Sequence, residues 1–407
     1  MAAICGEKMK YIVLVPDGMA GLPVEALDDR TSMEAAVSPN MDIIARKGVV
    51  GTVKNIPKGM TPASDVANLS ILGYDPQKYY CGRGPLEAAN LGVKLAETDV
   101  AFRFNTITFS EDRMLDYSAG HITSNESSLL VESLQKELGS DKYHFYPGTS
   151  YRHLLVVSCD SLEEADRLSK VKCFPPHDIL DQSISKHLPK EEELVDLMER
   201  SKDVLAAHDV NRVRVDLGQN PANMIWAWGQ GKSPDMPKFV DAYDVTGGMI
   251  SAVDLLKGMA IVLGLEVVDV PGATGYYDTN FEGKAAAALE MLERHDFVFV
   301  HVEAPDEAGH NGDLRAKIKA IEDFDQKITG KILEELTDKV DFRILILPDH
   351  PTPVEKRTHT SVPVPFAMAG KGIEPDDVTV FNERSAKAGS MKIEKGSDLM
   401  KMFLSDR

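Results

Sequence analysis

Residues 297–313 read FVFVHVEAPDEAGHNGD, and the break after Val302 decides the fold. Phe297–Val302 is a short run rich in Val and Phe, which reads as a buried strand that stops at a polar turn. Three further runs have the same form: Tyr11–Val15, Val267–Val270 and Arg343–Leu347. Each is followed by a loop of Asp, Gly, Pro or His. Helical patterns fall between them, over Ile250–Leu263 after a Gly-Gly pair, Gly283–Leu292 and Leu314–Leu336. Strands alternating with helices predict an α/β core, a mostly parallel sheet flanked by helices. Ligands of such sheets gather beyond the carboxyl ends of the strands. The polar turns after these strands are therefore the first places to look for chemistry.

The middle of the chain has another texture. Val100–Thr108 and His153–Ser158 read as antiparallel strands, with amphipathic helices over Glu126–Leu138 and Glu191–Ala207. This predicts an α+β module, residues 81–244, inserted as a cap into a discontinuous core of residues 1–80 and 245–407. No internal repeat, low-complexity tract or long linker interrupts the 407 residues.

Hydrophobic residues make up 43% and charged residues 27%, a balance that suits a folded globular protein. The formal net charge of −19 argues against nucleic acid or an anionic membrane as partner. A small anionic substrate would need a local positive site, supplied by metal ions or clustered Arg and Lys. The apolar run near the N-terminus is too short for a signal peptide or a spanning helix. Cys5, Cys81, Cys159 and Cys173 form no CxxC pair, so reduced thiols and a cytoplasmic setting are expected, with no thiolate metal cage. Oligomeric state is not legible in the sequence.

Any metal must then use carboxylate and imidazole. Asp306 and His310 stand at i, i+4 and share a face if their segment is helical, which would make a clamp; the alternative is a helix cap and a solvated histidine. In RILILPDHPTPVEKRTHT, Asp349 and His350 lie just past a strand and His359 nine residues on. Both neighbours reach one ion only if the backbone kinks between them; otherwise they make an Asx turn and an exposed histidine. Asp17, in VPDG, is by itself a turn signal, yet it belongs to the same expected sheet edge. Ser64, in MTPASDVANLSILGYDP, sits where a helix starts. It reads as an N-cap, and equally as a nucleophile beside backbone N–H groups that would stabilise a transferring phosphoryl group.

VPDGMAGLP, TPASDVANLSILGYDP, GRGPLEA, DVAFRFN, NPAN, PGATGYYDT, VHVEAPDEAGHNGD and DHPTPVEKRTHTSVPVPF together resemble the archaeal-type, cofactor-independent phosphoglycerate mutases, within the alkaline phosphatase-like metalloenzymes. The likeness runs from about Tyr11 to Phe366. It implies one divalent metal on Asp306, His310 and His359, and a second on Asp17, Asp349, His350 and the Ser64 oxygen. Manganese is the metal the resemblance implies, zinc and magnesium also suiting these ligands, with no 2,3-bisphosphoglycerate cofactor. It further implies that Ser64 takes the phosphoryl group of 3-phosphoglycerate and that glycerate takes it back on its other hydroxyl. Arg152, Arg212, Lys257 and His121 are the candidates for gripping this small phosphorylated substrate. Lys257 and His121 are also candidates for catalysis, and Lys284 reads as a solvated helix residue.

The inserted region departs from that pattern. An arginine stands in the archaeal enzymes where this chain has His121, and the surroundings of Arg152 differ from TSYRHLL. Three alternatives therefore stand beside the mutase. The same serine and metals could serve a homoserine kinase-like phosphotransferase, although no GxxxxGK[ST] loop is present. Water could resolve phosphoserine, making a phosphomonoesterase. A degenerate binding protein would not need all seven core groups.

Overall fold

The computed structural model describes residues 8–405, which leaves Cys5 outside the described residues. The chain divides into two compact units. The first runs through Tyr80 and resumes at Met236; the second is Cys81–Asp235.

The first unit is built on an eight-stranded sheet in the order Met391–Ile393, Gly48–Val53, Val364–Gly370, Phe342–Ile346, Lys10–Pro16, Phe297–Val302, Gly247–Ile250, Glu266–Val267. From Phe342–Ile346 to Glu266–Val267 every pairing is parallel. Every residue of Lys10–Pro16 and of Phe297–Val302 is buried, as strands covered on both faces require. Fold class is thus the expected one, a mixed α/β protein with a mostly parallel sheet. Register explains why the site forms where it does. Pro16 lies beside Val302 and Leu14 beside Ile346, so three chains leave the sheet at one edge. Asp17 N–H still donates to Val302 O (3.0 Å) and Leu347 N–H to Leu14 O (3.1 Å). The polar turns therefore start level with one another.

The sheet and its helices depart from the expectation at several places. The strand expected over Val267–Val270 is only Glu266–Val267, a half-exposed edge pair; its partner strand ends at Ile250, so the ladder has nothing further to pair with. Gly48–Val53, Val364–Gly370 and Met391–Ile393 were not anticipated as strands, and Val364–Gly370 runs antiparallel to both neighbours. The helix expected from Ile250 begins at Asp254, because Ile250 closes a strand. The long pattern Leu314–Leu336 is helix Leu314–Phe324, a π-helical turn Asp325–Thr329 and helix Gly330–Leu336. That turn faces Asp325 towards the Met41 N–H (2.7 Å) and the Asn40 N–H (3.2 Å). Residues 236–244 belong to the first unit, where Phe239 stacks on Phe297 at 4.6 Å between centroids.

The second unit carries a five-stranded antiparallel sheet. Its long strand Asp99–Ser110 pairs with Arg113–Asp116, Arg152–Ser158 and Met224–Lys232. Tyr143–Tyr146 completes it beside Arg152–Ser158. Helices Ser124–Leu138 and Glu192–Ala206 turn Leu130, Val131, Leu134, Leu194, Leu197 and Met198 into a core with Phe102, Phe104 and Leu155. Among the described residues no helix is long and apolar enough to cross a membrane.

Candidate active site

Three turns at the sheet edge carry six of the side chains, and the start of one helix supplies the seventh. Asp17 follows strand Lys10–Pro16. Asp306 and His310 lie on helix Ala304–Asn311, which begins two residues after strand Phe297–Val302. Asp349, His350 and His359 follow strand Phe342–Ile346. Ser64 opens helix Ser64–Ile71.

Asp306, His310 and His359 form the first group. His310 Nε2 is 3.2 Å from Asp306 Oδ2, and His359 Nε2 is 3.4 Å from Asp306 Oδ1. The two Nε2 atoms are 2.8 Å apart. Each Nδ1 faces a carbonyl, Arg357 O at 3.1 Å and Pro62 O at 3.2 Å. A carbonyl only accepts, so each Nδ1 carries the proton and both Nε2 lone pairs converge. Two lone pairs at that distance repel unless a cation or a shared proton lies between them. Burial alone would lower the His310 pKa, but the Asp306 carboxylate lifts it to about 9. The cluster thus demands positive charge, which is the demand a divalent metal meets.

His350 Nε2 is the hub of the second group, 3.2 Å from Ser64 Oγ, 3.4 Å from Asp349 Oδ2 and 3.8 Å from Asp17 Oδ1. Asp349 and His350 are both fully buried, and Asp349 Oδ1 accepts from the His350 N–H at 2.8 Å. This is the local kink that lets neighbours face one centre. Asp349 also accepts from Gly18 N–H (3.1 Å) and from Asn68 Nδ2 (3.0 Å). Asp17 Oδ1 is buried with no hydrogen-bond partner. Burial, and then the charges of Asp349 and Asp306, push the Asp17 carboxyl well above its ordinary range. An orphaned carboxylate oxygen among other carboxylates fits a cation site. Ligand atoms of Asp306, His350 and His359 lie within 4.8 Å of one another, as do those of Asp17, His301 and Asp349.

Ser64 is not the N-cap that the sequence suggested. Ala63 holds that position without a side-chain bond, and Ser64 is the first helical residue with Oγ turned to His350. Asp65 is buried and accepts from Tyr80 OH (3.0 Å).

Several neighbours escaped the sequence reading. His301 is fully buried with Nε2 2.9 Å from Asp17 Oδ2. Its signal was a histidine inside an otherwise apolar strand. Thr352 Oγ1 donates to Asp306 Oδ1. Lys317 is fully buried and donates to Gly18 O (2.7 Å), Ala20 O (3.3 Å) and Thr352 O (2.6 Å), binding two of the site turns together. Burial pushes its pKa down to about 8. Lys284 corrects an expectation: it is buried, not solvated, and donates to His301 O at 3.2 Å.

The substrate candidates fare unevenly. Lys257 makes an ion pair with Asp269 (2.5 Å). In the second unit His121 and Arg152 flank one tyrosine, His121 edge-on to Tyr151 (6.1 Å) and Arg152 over its ring (5.5 Å). Arg212 is exposed and paired with Asp209 (3.1 Å). The arginine this helix turns inward is Arg214, which donates to Ala119 O (2.7 Å) beside the His121 turn. Arg103 is buried against Glu87 (3.1 Å), and its pKa falls to about 10 through burial and the nearby Arg152 and Arg83, against the pull of Glu87. Both Arg83 and Arg103 stand over the Trp228 ring, at 5.2 and 5.0 Å.

Fold and site define the class: a mixed α/β enzyme with its polar groups on the carboxyl ends of a mostly parallel sheet. The sequence profile of 2,3-bisphosphoglycerate-independent phosphoglycerate mutase matches residues 45–211. The mutase of that name from Methanosarcina acetivorans is 52% identical over 402 residues, covering 97% of this chain and all of that one. A probable mutase of the same name from Geobacter sulfurreducens is 48% identical over 404 residues, with 97% and 100% coverage. A solved cofactor-independent phosphoglycerate mutase from Thermoplasma acidophilum superposes with TM-score 0.65 at 29% identity, covering 98% and 99% of the two chains. A solved protein of Pyrococcus horikoshii reaches 0.84 at 31%, with the same coverage. The chain belongs to the 2,3-bisphosphoglycerate-independent phosphoglycerate mutase family, whose members are isomerases.

Proposed function

We propose that the protein interconverts 3-phosphoglycerate and 2-phosphoglycerate through a phosphoserine on Ser64, with two divalent metals and without 2,3-bisphosphoglycerate. The observation that carries this reading is the position of Ser64 Oγ. It stands at a helix N-terminus, 3.2 Å from His350 Nε2 and beside the carboxylate–imidazole cluster.

Asp306, His310 and His359 would hold one metal; Asp17, Asp349, His350 and Ser64 Oγ would hold the other. Manganese is the expected ion, and zinc or magnesium suits the same donors. When bound, such ions balance the charge that develops on a transferring phosphoryl group. The chain's own part is to place the hydroxyl. Asn68 Nδ2 bridges Ser64 O (2.9 Å) and Asp349 Oδ2 (3.0 Å), fixing the first helical turn against the site. Ser64 Oγ forms the new O–P bond as the glycerate O–P bond breaks; the serine proton leaves and the departing oxygen gains one. Glycerate then takes the phosphoryl group back on its other hydroxyl. His121 and Arg152, with Arg83 and Arg103 close by, are the groups assigned to the substrate's anionic end. Lys257 and Arg212, each paired with an aspartate, carry less of this assignment.

The test is to give manganese-loaded enzyme 3-phosphoglycerate and couple the product to enolase. Ser64→Ala should lose roughly 10⁴-fold or more in rate and form no phosphoenzyme. Free phosphate as the product would favour a phosphomonoesterase. Homoserine-dependent nucleotide consumption with no enolase signal would favour the kinase-like reading.

A further inference from the structure

His301 touches Asp17 directly, with Nε2 2.9 Å from Asp17 Oδ2. We infer that His301 is a positioning residue: it donates Nε2–H to Asp17 Oδ2 and so reserves Oδ1 for a metal.

The hydrogen bonds around the ring fix this orientation. His301 sits in the central strand Phe297–Val302, paired in register with Val15, two residues before Asp17. Its ring is fully buried, so every polar atom needs a partner within the protein. On one side, Nε2 is 2.9 Å from Asp17 Oδ2. On the other, Nδ1 faces Ser251 Oγ at 3.5 Å, and that oxygen already accepts from the Val253 N–H at 3.1 Å. A carboxylate oxygen only accepts, so the ring proton sits on Nε2, pointing at Asp17, and the Ser251 hydroxyl, which can donate, turns its proton to Nδ1. The strand is held in place at this residue too, since buried Lys284 donates to His301 O at 3.2 Å. Asp17 meanwhile shows a split carboxylate. Oδ2 is engaged by the imidazole, while Oδ1 is buried, unpartnered and 3.8 Å from His350 Nε2. A donor on one carboxylate oxygen that leaves the other for an ion is how outer partners orient metal ligands.

A second role is geometrically open. His301 is close enough to Asp17 and Asp349 to be a ligand itself. The Nε2–Oδ2 hydrogen bond argues for the positioning role, and substitution separates the two. His301→Gln carries an amide N–H near the place of Nε2 and keeps the donor to Asp17. His301→Asn is shorter, reaching Ser251 but not Asp17. The inference rests on the two-metal reading proposed above.

The experiment is calorimetric titration of metal-free protein with Mn²⁺, with far-ultraviolet circular dichroism of each variant to show that it folds. The wild type should bind two ions. His301→Asn should weaken one of the two by about tenfold to a hundredfold and leave the other, the usual cost of losing an outer partner. His301→Gln should bind both within about threefold of wild type. An Asn variant with an unchanged isotherm overturns the inference. A Gln variant as impaired as Asn also overturns it, and makes His301 a ligand. If the Asn variant does not fold, the Gln isotherm decides alone. A wild type that binds no manganese fails at the earlier step, sinking the two-metal reading and this inference with it.

Discussion

His310 and His359 point Nε2 at Nε2 across 2.8 Å, while each ring spends its Nδ1 proton on a carbonyl. That approach needs a proton shared between the rings, which a bound cation replaces while engaging Asp306 as well, so metal should stabilise the fold. At a free metal concentration one hundred times the dissociation constant, the gain is about 2.7 kcal/mol. Thermal melts with manganese and with a chelator should differ accordingly. His310→Ala deletes a ligand, and its melt should respond to manganese much less. An identical metal response in wild type and variant would exclude His310 from the site.

Lys317 predicts a different kind of loss. Its ammonium donates to three carbonyls of two turns, one of which, Ala20 O, also accepts from the Thr352 N–H (3.1 Å). Lys317→Met keeps the length of the side chain and removes the donors. Carbonyls left unpaired in a buried site cost about 1–3 kcal/mol each at most, so a loss of about 2–4 kcal/mol is expected in denaturant unfolding. Because the turns carry Asp17 and Asp349–His350, kcat should fall further than KM changes. A variant as stable as wild type would show that these turns hold their shape without the lysine.

The second unit offers a prediction about acid. His153 is buried on strand Arg152–Ser158, and burial, then Arg103 and Arg152, push its pKa down to about 3. The unfolded chain takes up a proton near pH 6.5, whereas the folded chain does not. Stability from this residue is therefore present above pH 6.5 and lost as pH falls towards 3. Between pH 6.5 and 5 the loss is roughly 2 kcal/mol, at 1.36 kcal/mol per unit. His153→Gln cannot take up that proton, so its stability should vary less over the interval. An unchanged slope in urea unfolding at the two pH values would mean that His153 titrates normally in the folded protein.

How much of this could be read from the sequence follows from which forces are local. Phe297–Val302 and Tyr11–Val15 were legible because strands buried on both faces need unbroken apolar runs. Gly48–Val53 and Val364–Gly370 were not, since two glycines dilute GVVGTV and a proline and a glycine dilute VPFAMAG. Their pairing with each other, which no local pattern announces, is what makes them strands. The same division runs through the site. Asp306, His310, Asp349 and His350 stood out by spacing after a strand. His301 and Lys317 act through partners that lie 284 and 299 residues away in the chain, Asp17 and Gly18, which sheet register brings to the first and helix packing to the second. Arg103 lies within DVAFRFN, yet its neighbours Trp228 and Glu87 belong to other elements.

Gly18 turns one local signal, the Asp-Gly pair, into a test of the whole site. Its φ is +61°, where a side chain is strained. A Cβ at this position would also fall 2.7 Å from Asp306 Cα, a backbone atom that cannot move aside without shifting helix Ala304–Asn311. Gly18→Ala therefore carries two penalties, about 1 kcal/mol of backbone strain and a displacement of Asp306 away from His359. Gly59 separates them, since its φ is +89° and nothing lies within 4 Å of its Cβ position. Gly59→Ala should lose stability to a similar small extent and retain full activity and manganese binding. Gly18→Ala should fold, bind manganese at least tenfold more weakly and lose most of its activity, if moving Asp306 costs what a missing outer partner does. Equal behaviour of the two variants would mean that the site tolerates that movement, and that the close approach of the first turn to Asp306 does not set its geometry.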